Sequence, residues 1–324
     1  MKTHVSWGII GCGDVAEVKS GPAFQIAENS SLVAVMRRDK AKAENFAKRH
    51  KVPFFYDNAD EVIQHPEINA IYIATPPSSH LAYALQALKA NKDVYLEKPM
   101  TLDAHEGQQL LEALKSSKSK VTIAHYRRQL PAFLKVKELI EQRILGDVLF
   151  ADIQILQPKS STIIADTEDN WRLKPSISGG GYFHDLAPHQ LDLMLHWFGD
   201  MRSAFGASTK NGNTTQVSST VNGIIHFKNG LQFRGIWCFN VSEADQKDQC
   251  VIYGTKGHIK FSFYGDHVSL CENGKTETFQ FTNPKHVQQP MIQQAVNYFL
   301  GTSENPCSVE DGLKVMRIMD EFTQ

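Results

Sequence analysis

Over the first third of the chain, short and nearly continuous apolar runs alternate with amphipathic stretches. Residues 5–10, 32–36, 70–74, 93–96 and 121–124 are compact and rich in β-branched side chains, the pattern of strands buried on both faces. Residues 39–50, 79–90 and 103–115 lie between them with apolar positions at helical spacing. This alternation predicts βαβ units with right-handed crossovers, and so a doubly wound parallel sheet. After about Tyr126 the rhythm changes. Residues 131–143 read as a helix, 148–156 as a strand, and 157–181, rich in Ser, Pro, Gly and Asp, as a long loop. Helical spacing returns over 184–197. Alternating patterns between 217 and 281 are broken by turns at Lys228-Asn229-Gly230, Gly254-Thr255-Lys256-Gly257 and Glu272-Asn273-Gly274, which predicts consecutive antiparallel strands. Helical patterns over 287–300 and 309–322 close the chain. The expected division is a nucleotide-type domain over residues 1–124 and an α+β domain over 125–324.

Composition narrows the class without changing this picture. The chain has 324 residues, of which 42% are hydrophobic and 21% charged, with a formal net charge of -1. That balance offers no bulk attraction to nucleic acid or to a membrane surface. No apolar run approaches the roughly 20 residues of a membrane helix. The start of the chain runs straight into the first strand, leaving no room for a secretory leader. The five cysteines are scattered, with no Cys-x-x-Cys spacing, so a disulfide framework and a zinc site are not expected and a reducing, cytoplasmic setting is. The 13 histidines form no ligand cluster in sequence, and no metal is expected.

Candidate chemistry begins at Gly11-Cys12-Gly13-Asp14-Val15-Ala16, which follows the first strand and opens a helix. Gly11 permits a tight turn, Gly13 lets backbone approach a pyrophosphate, and Ala16 allows close helix packing, with helix N–H groups left for phosphates. Dinucleotide binding is the expected role. The second strand ends in Arg37-Arg38-Asp39. Arginine there suits a ribose 2′-phosphate, so NADP is preferred over NAD; Asp39 reads either as a helix cap or as the acid that meets the ribose hydroxyls. Glu97-Lys98-Pro99 lies at the carboxyl end of another strand, where ligands of parallel sheets bind. The proline restricts Lys98 to extended backbone, which aims it as a polariser of a substrate oxygen.

These motifs, taken in order, resemble the Gfo/Idh/MocA oxidoreductases. The resemblance rests on Trp7-Gly8-Ile9-Ile10-Gly11-Cys12-Gly13, Ala74-Thr75-Pro76-Pro77-Ser78-Ser79-His80, Glu97-Lys98-Pro99, Asn170-Trp171-Arg172, Gly179-Gly180-Gly181 with Asp185 and His189, and Glu310-Asp311-Gly312-Leu313. It implies an N-terminal Rossmann domain and a C-terminal α+β domain with a large, mostly antiparallel open sheet. The exposed face of that sheet would form a homodimer or homotetramer. It implies NAD(P)-linked oxidation or reduction of sugars, inositols or related polyols, with Lys98 as catalytic lysine. By the same resemblance Thr75, Pro76, His80 and Glu97 line the cofactor, and Trp171 and Arg172 reach it from the second domain.

Asp185 and His189 are four apart and share a face if both are helical. A histidine oriented by a carboxylate is suited to take the proton from a hydroxyl as its hydride leaves. Pro188 is expected near the helix start, which would leave Asp185 just ahead of the helix. Tyr126, Arg127 and Tyr182 are candidate substrate contacts, while Arg127 or Arg128 could equally make a salt bridge between domains. Lys159, Asp166, Glu168 and Asp169 of the long loop could meet a hydroxyl or face water. The alternatives are a reductase of the 1,5-anhydrofructose type, a dihydrodiol dehydrogenase, and a catalytically silent cofactor-sensing regulator.

Overall fold

A computed structural model describes residues 2–164, 170–210 and 216–324; Asp166, Glu168 and Asp169 lie outside them. The chain forms two compact units, residues 1–127 with 284–316 and residues 128–283 with 317–324. The expected single cut after residue 124 is therefore replaced by a boundary at 127 and a C-terminal segment that returns to the first unit.

The first unit runs β1 (Val5–Ile10), α1 (Ala23–Ile26), β2 (Ser30–Met36), α2 (Lys40–His50), β3 (Phe54–Tyr56), α3 (Ala59–Ile63), β4 (Ala70–Ile73), α4 (His80–Lys89), β5 (Asp93–Leu96), α5 (Ala104–Lys115) and β6 (Val121–Ile123). The sheet order is β3-β2-β1-β4-β5-β6, and every pair is parallel. The order reverses between β1 and β4, which places the ligand crevice of such a sheet at their carboxyl ends. Strand β3, three residues none of which is buried, was not expected from the sequence. Asp39 and Asp103 cap α2 and α5, accepting the Lys42 and Glu106 N–H groups at 3.1 and 2.8 Å. Caps of this kind contribute about 1 kcal/mol each.

The second unit holds α6 (Pro131–Glu141), β7 (Val148–Leu156), α7 (Pro175–Ser178), α8 (Tyr182–Phe198), β8 (Met201–Thr209), β9 (Thr220–Phe227), β10 (Gln232–Cys238), β11 (Lys247–Gly254), β12 (Gly257–Phe261), β13 (His267–Glu272) and β14 (Lys275–Gln280). Its eight strands are ordered β14-β13-β12-β11-β7-β10-β9-β8. All neighbours are antiparallel except β7 and β10. Strict alternation along β9 buries Val221, Gly223, Ile225 and Phe227 and exposes Asn222, Ile224 and His226. The stretch expected as one loop contains α7 and a 3-10 turn, Trp171–Leu173.

Two helices complete the chain, α9 (Gln289–Leu300) and α10 (Val309–Thr323). Helix α9 belongs to the first unit because Phe299 packs on Trp7 of β1, ring centroids 5.5 Å apart, beside a Trp7–Phe24 contact at 4.7 Å. Each aromatic pair adds ~0.5–1.5 kcal/mol beyond its buried area. Helix α10 is shared: its residues to Met316 cluster with the first unit and those from Arg317 with the second.

Pro188 corrects one expectation. Helix α8 begins at Tyr182, so the proline lies in its interior. A proline there supplies no N–H to the carbonyl one turn back, yet 17 residues remain helical. Thirteen of them are buried, and packing on that scale outweighs one lost hydrogen bond. Asp185 is thus on the helix rather than ahead of it.

Two predictions follow from the packing of the second unit. A Cβ at Gly223 would stand 2.0 Å from the ring of Phe322, which is fully buried. Gly223→Ala should therefore lower stability by ~1–3 kcal/mol in chemical denaturation, and Phe322→Leu in the same chain should recover part of that loss. On α8, His184 is buried and burial pushes its pKa down to about 4. Below pH 6.5 the unfolded chain takes up a proton that the folded chain refuses, so stability is present above that value and falls between pH 6.5 and 4. The loss amounts to ~3 kcal/mol at the acid end. His184→Gln should flatten the stability profile over that window.

Candidate functional site

The glycine turn is built from three strand ends. Gly11 has φ of +96°, and a Cβ there would lie 2.8 Å from the Ala74 carbonyl carbon at the end of β4. Its N–H and that of Cys12 donate to the Met36 carbonyl at the end of β2, at 2.9 and 3.0 Å. Only glycine fits such a crossing. Gly13 is different, since a Cβ there would meet nothing within 4 Å. Its open face fits the backbone approach that a pyrophosphate requires. Asp14 and Val15 start a helix whose residues Ala16–Ser20 wind as a π-helix, wider than the ordinary helix expected. Ala16 is fully buried, as close packing demands, and burial pushes the Cys12 thiol up to about 11.

Beside the turn is a cavity of about 400 Å³, with Cys12, Glu17, Arg37, Asp39, Lys42 and Arg49 on its walls. Arg37 is half-buried and Arg38 exposed; Arg38 does not line the cavity. Asp39 is the N-cap of α2. Glu17 accepts from both terminal nitrogens of Arg49, and His50 Nε2 lies 2.8 Å from it. The Arg49 guanidinium holds the Glu17 carboxyl down at about 2. Arg37 and Lys42 bring positive charge to this hollow, and Asp39, whose Oδ2 lies 4.0 Å from Lys42 Nζ, brings negative charge.

At the carboxyl edge of β4 and β5, the expected residues separate into two kinds. Thr75, Pro76 and Lys98 are half-buried and border the edge. His80 and Glu97 are buried, so they act through what they hold. His80 Nδ1 lies 2.9 Å from the Pro99 carbonyl oxygen and Nε2 lies 2.7 Å from that of Thr75. Burial pushes its pKa down, against the pull of those two carbonyls. Glu97 accepts the Tyr72 hydroxyl and the Gln288 side-chain amide, each at 2.6 Å, and the Lys98 N–H at 3.1 Å. Burial and the Glu97 charge raise the pKa of Tyr72 well above the ordinary phenol value, so its hydroxyl stays protonated and donates. The Lys98–Pro99 bond is cis. Tyr126 and Arg127 are buried, with the Arg127 guanidinium 5.5 Å from the Tyr126 ring centre.

In the second unit, α8 carries Asp185 and His189 one turn apart. Arg172 Nε donates to Asp185 Oδ2 at 2.7 Å, with both side chains mostly buried. Its guanidinium also sits 4.6 Å from the Trp171 ring centre. Arg172, expected as a cofactor contact, pairs through Nε with this carboxylate. Asn170 donates to the Tyr182 hydroxyl at 2.8 Å. Further along α8, Arg128 grips Asp192 through Nε at 2.9 and 3.1 Å and through Nη2 at 2.7 Å, almost wholly buried. Both residues belong to the second unit, so this pair lies within one domain and is not the bridge between domains expected of Arg127 or Arg128.

Sequence reading missed Gln288, Tyr72, Lys42 and the Arg128–Asp192 pair. Only Tyr72 carried a signal, a lone hydroxyl inside an otherwise apolar strand.

Known proteins match along most of the chain. The description "Oxidoreductase family, NAD-binding Rossmann fold" fits residues 5–125, and "GFO/IDH/MocA C-terminal domain" fits residues 133–260. Oxidoreductase P35 of Formosa agariphila is 54% identical over 322 residues, 99% of both chains. A trans-1,2-dihydrobenzene-1,2-diol dehydrogenase of Danio rerio is 32% identical over 287 residues, 86% of this chain and 80% of that protein. The fold of a levoglucosan dehydrogenase solved with NADH and levoglucosan matches with a TM-score of 0.85 at 22% identity, over 98% of this chain and 96% of that one. With the open glycine turn and the Lys98 strand end in place, these matches make the chain a member of the GFO/IDH/MocA family, an NAD(P)-binding oxidoreductase.

Proposed function

We propose that the enzyme moves a hydride between NADP(H), in preference to NAD(H), and the carbinol or carbonyl carbon of a sugar, inositol or related polyol. The observation that carries this reading is Lys98, held at the carboxyl end of β5 on the same sheet edge as the open face of Gly13. Gly11, Cys12, Gly13, Asp14, Val15 and Ala16 hold the pyrophosphate, and Arg37, with Lys42, takes the 2′-phosphate. Thr75, Pro76 and Trp171 border the rest of the cofactor. When bound, the nicotinamide supplies the hydride acceptor or donor. Lys98 hydrogen-bonds the reacting oxygen and stabilises negative charge on it. His189 takes or returns the hydroxyl proton, and Asp185, ion-paired to Arg172, orients the substrate. Tyr126, Arg127 and Tyr182 are assigned to the substrate.

Oxidation of a dihydrodiol is the second reading, favoured by the 32% identical Danio rerio relative; it uses the same carbinol chemistry. A reductase of the 1,5-anhydrofructose type would run the same residues in reverse. Assembly through the sheet of the second unit, as a homodimer or homotetramer, is supported by paired Phe205 and Ile224, 62% and 44% exposed. On the other side of β10, half-buried Phe150 stacks on the exposed Tyr253 at 4.7 Å. Exposed apolar side chains grouped in this way mark association surfaces. A cytoplasmic setting is proposed from the scattered spacing of the five cysteines, which includes no Cys-x-x-Cys.

The reading is tested by a panel of sugars, inositols, sugar acids, anhydro-sugars and dihydrodiols, following reduced nicotinamide absorbance with each cofactor. Turnover on a polyol that is lost in Lys98→Ala and in His189→Ala is expected; a His189→Ala enzyme with wild-type turnover would remove the proton-transfer role. Cofactor titrations separate the two phosphate contacts. Gly13→Ala should keep its melting temperature yet weaken both cofactors by roughly tenfold, or ~1.4 kcal/mol. Arg37→Ala should weaken NADP and leave NAD unchanged, and equal NADP affinity in wild type and Arg37→Ala would refute the preference.

A further inference from the structure

Side chains far apart in sequence converge on the strand end that carries Lys98. Glu97 is 5% exposed, and both its oxygens are engaged. Oε1 takes the Tyr72 hydroxyl and the Gln288 amide, while Oε2 takes the Lys98 N–H. Gln288 stands just ahead of α9, 191 residues from Glu97 in sequence. It is itself fixed: its N–H donates to the Lys19 carbonyl at 3.3 Å, and its Oε1 accepts the Tyr95 hydroxyl at 3.4 Å. On the other side of Lys98, His80 Nδ1 lies 2.9 Å from the Pro99 carbonyl oxygen, which its Nδ1–H tautomer anchors, and Nε2 lies against the Thr75 carbonyl. The Glu97 N–H donates to the Ile73 carbonyl at 3.0 Å, so the backbone is tied at Glu97, Lys98 and Pro99 in turn.

We propose that Gln288 and His80 are positioning residues for Lys98: one braces the Glu97 carboxylate that holds the Lys98 N–H, the other anchors the Pro99 carbonyl. The proposal rests on Lys98 being the group that meets the reacting oxygen. Both side-chain donors to Glu97 are neutral, so they satisfy the carboxylate without cancelling its charge beside the lysine. Removing one leaves a buried carboxylate short of a donor, and the group must turn towards another. Its Lys98 N–H contact then loosens. A lysine displaced by even about 1 Å loses much of its effect on a reacting oxygen, on the order of a hundredfold. Cofactor affinity should change much less than kcat, because none of Tyr72, His80, Glu97 and Gln288 lines the cavity beside the glycine turn.

The test compares wild type with Gln288→Ala, Tyr72→Phe and His80→Ala. Cofactor affinity is read by nicotinamide fluorescence, kcat and KM on the polyol found by the panel, and the Lys98 amine by NMR of the 13C-dimethylated protein. Lys98→Arg assigns that resonance. The proposal expects cofactor affinity within about threefold, kcat lower by ~10- to 100-fold with KM little changed, and a Lys98 resonance that moves in its titration. Tyr72→Phe should reproduce Gln288→Ala, because it strips a donor from the same carboxylate oxygen. If His80→Ala fails to fold, His80→Gln retains one carbonyl contact and should show an intermediate loss. Unchanged kcat and an unmoved Lys98 resonance in variants that bind cofactor would overturn the proposal. A wild type that turns over no polyol would defeat the functional reading alone, since the resonance of Lys98 decides the positioning question without substrate.

Discussion

A carboxylate sealed from water at the end of a parallel strand costs several kcal/mol unless donors replace its hydration. Glu97 is in that position, and much of the first unit is arranged around meeting its demand. The preceding strand, β4, supplies a tyrosine, the backbone supplies the next residue's N–H, and the return segment before α9 supplies an amide. The aromatic packing of Trp7, Phe24 and Phe299 brings that segment home. The polar contact then fixes its register against the sheet. Apolar packing and a single buried charge therefore specify the same docking, and the strand end with Lys98 inherits the precision of both.

The second unit solves a similar problem differently. Asp185 and Asp192 lie two turns apart on one helix, and each has an arginine, Arg172 or Arg128. In both pairs the arginine comes from outside α8, so the helix is aimed by charge as well as by its buried apolar residues. An interior proline is tolerated in α8 because the helix is gripped along its length rather than standing alone.

Legibility in the sequence followed the range of the interaction. Buried parallel strands were legible as β-branched runs, the glycine turn as spacing, and Asp185 with His189 as a helical pair. Strand β3, with Phe54 exposed, has no periodicity over three residues. Strand β8 is an edge strand, mostly exposed or half-buried, so burial left little trace in its composition. His80 and Arg172 were found by resemblance but assigned to the cofactor. What they hold, two carbonyls and a carboxylate, is set by tertiary contacts. Gln288 is one polar residue among several at a helix start, and nothing local distinguishes it.

The return of residues 284–316 to the first unit bears on the order in which the molecule can be made. During synthesis the six parallel strands emerge early, but the partner of Glu97 and the ring that covers Trp7 emerge only near the end. Until then the cofactor half of the enzyme lacks a wall and a donor, so residues 128–283 of the second unit are synthesised before the first can be finished. The same threading means that no single cut separates the two halves. A recombination event that exchanged one of them would need three junctions, at 127/128, 283/284 and 316/317, which ties the history of the cofactor half to that of its companion.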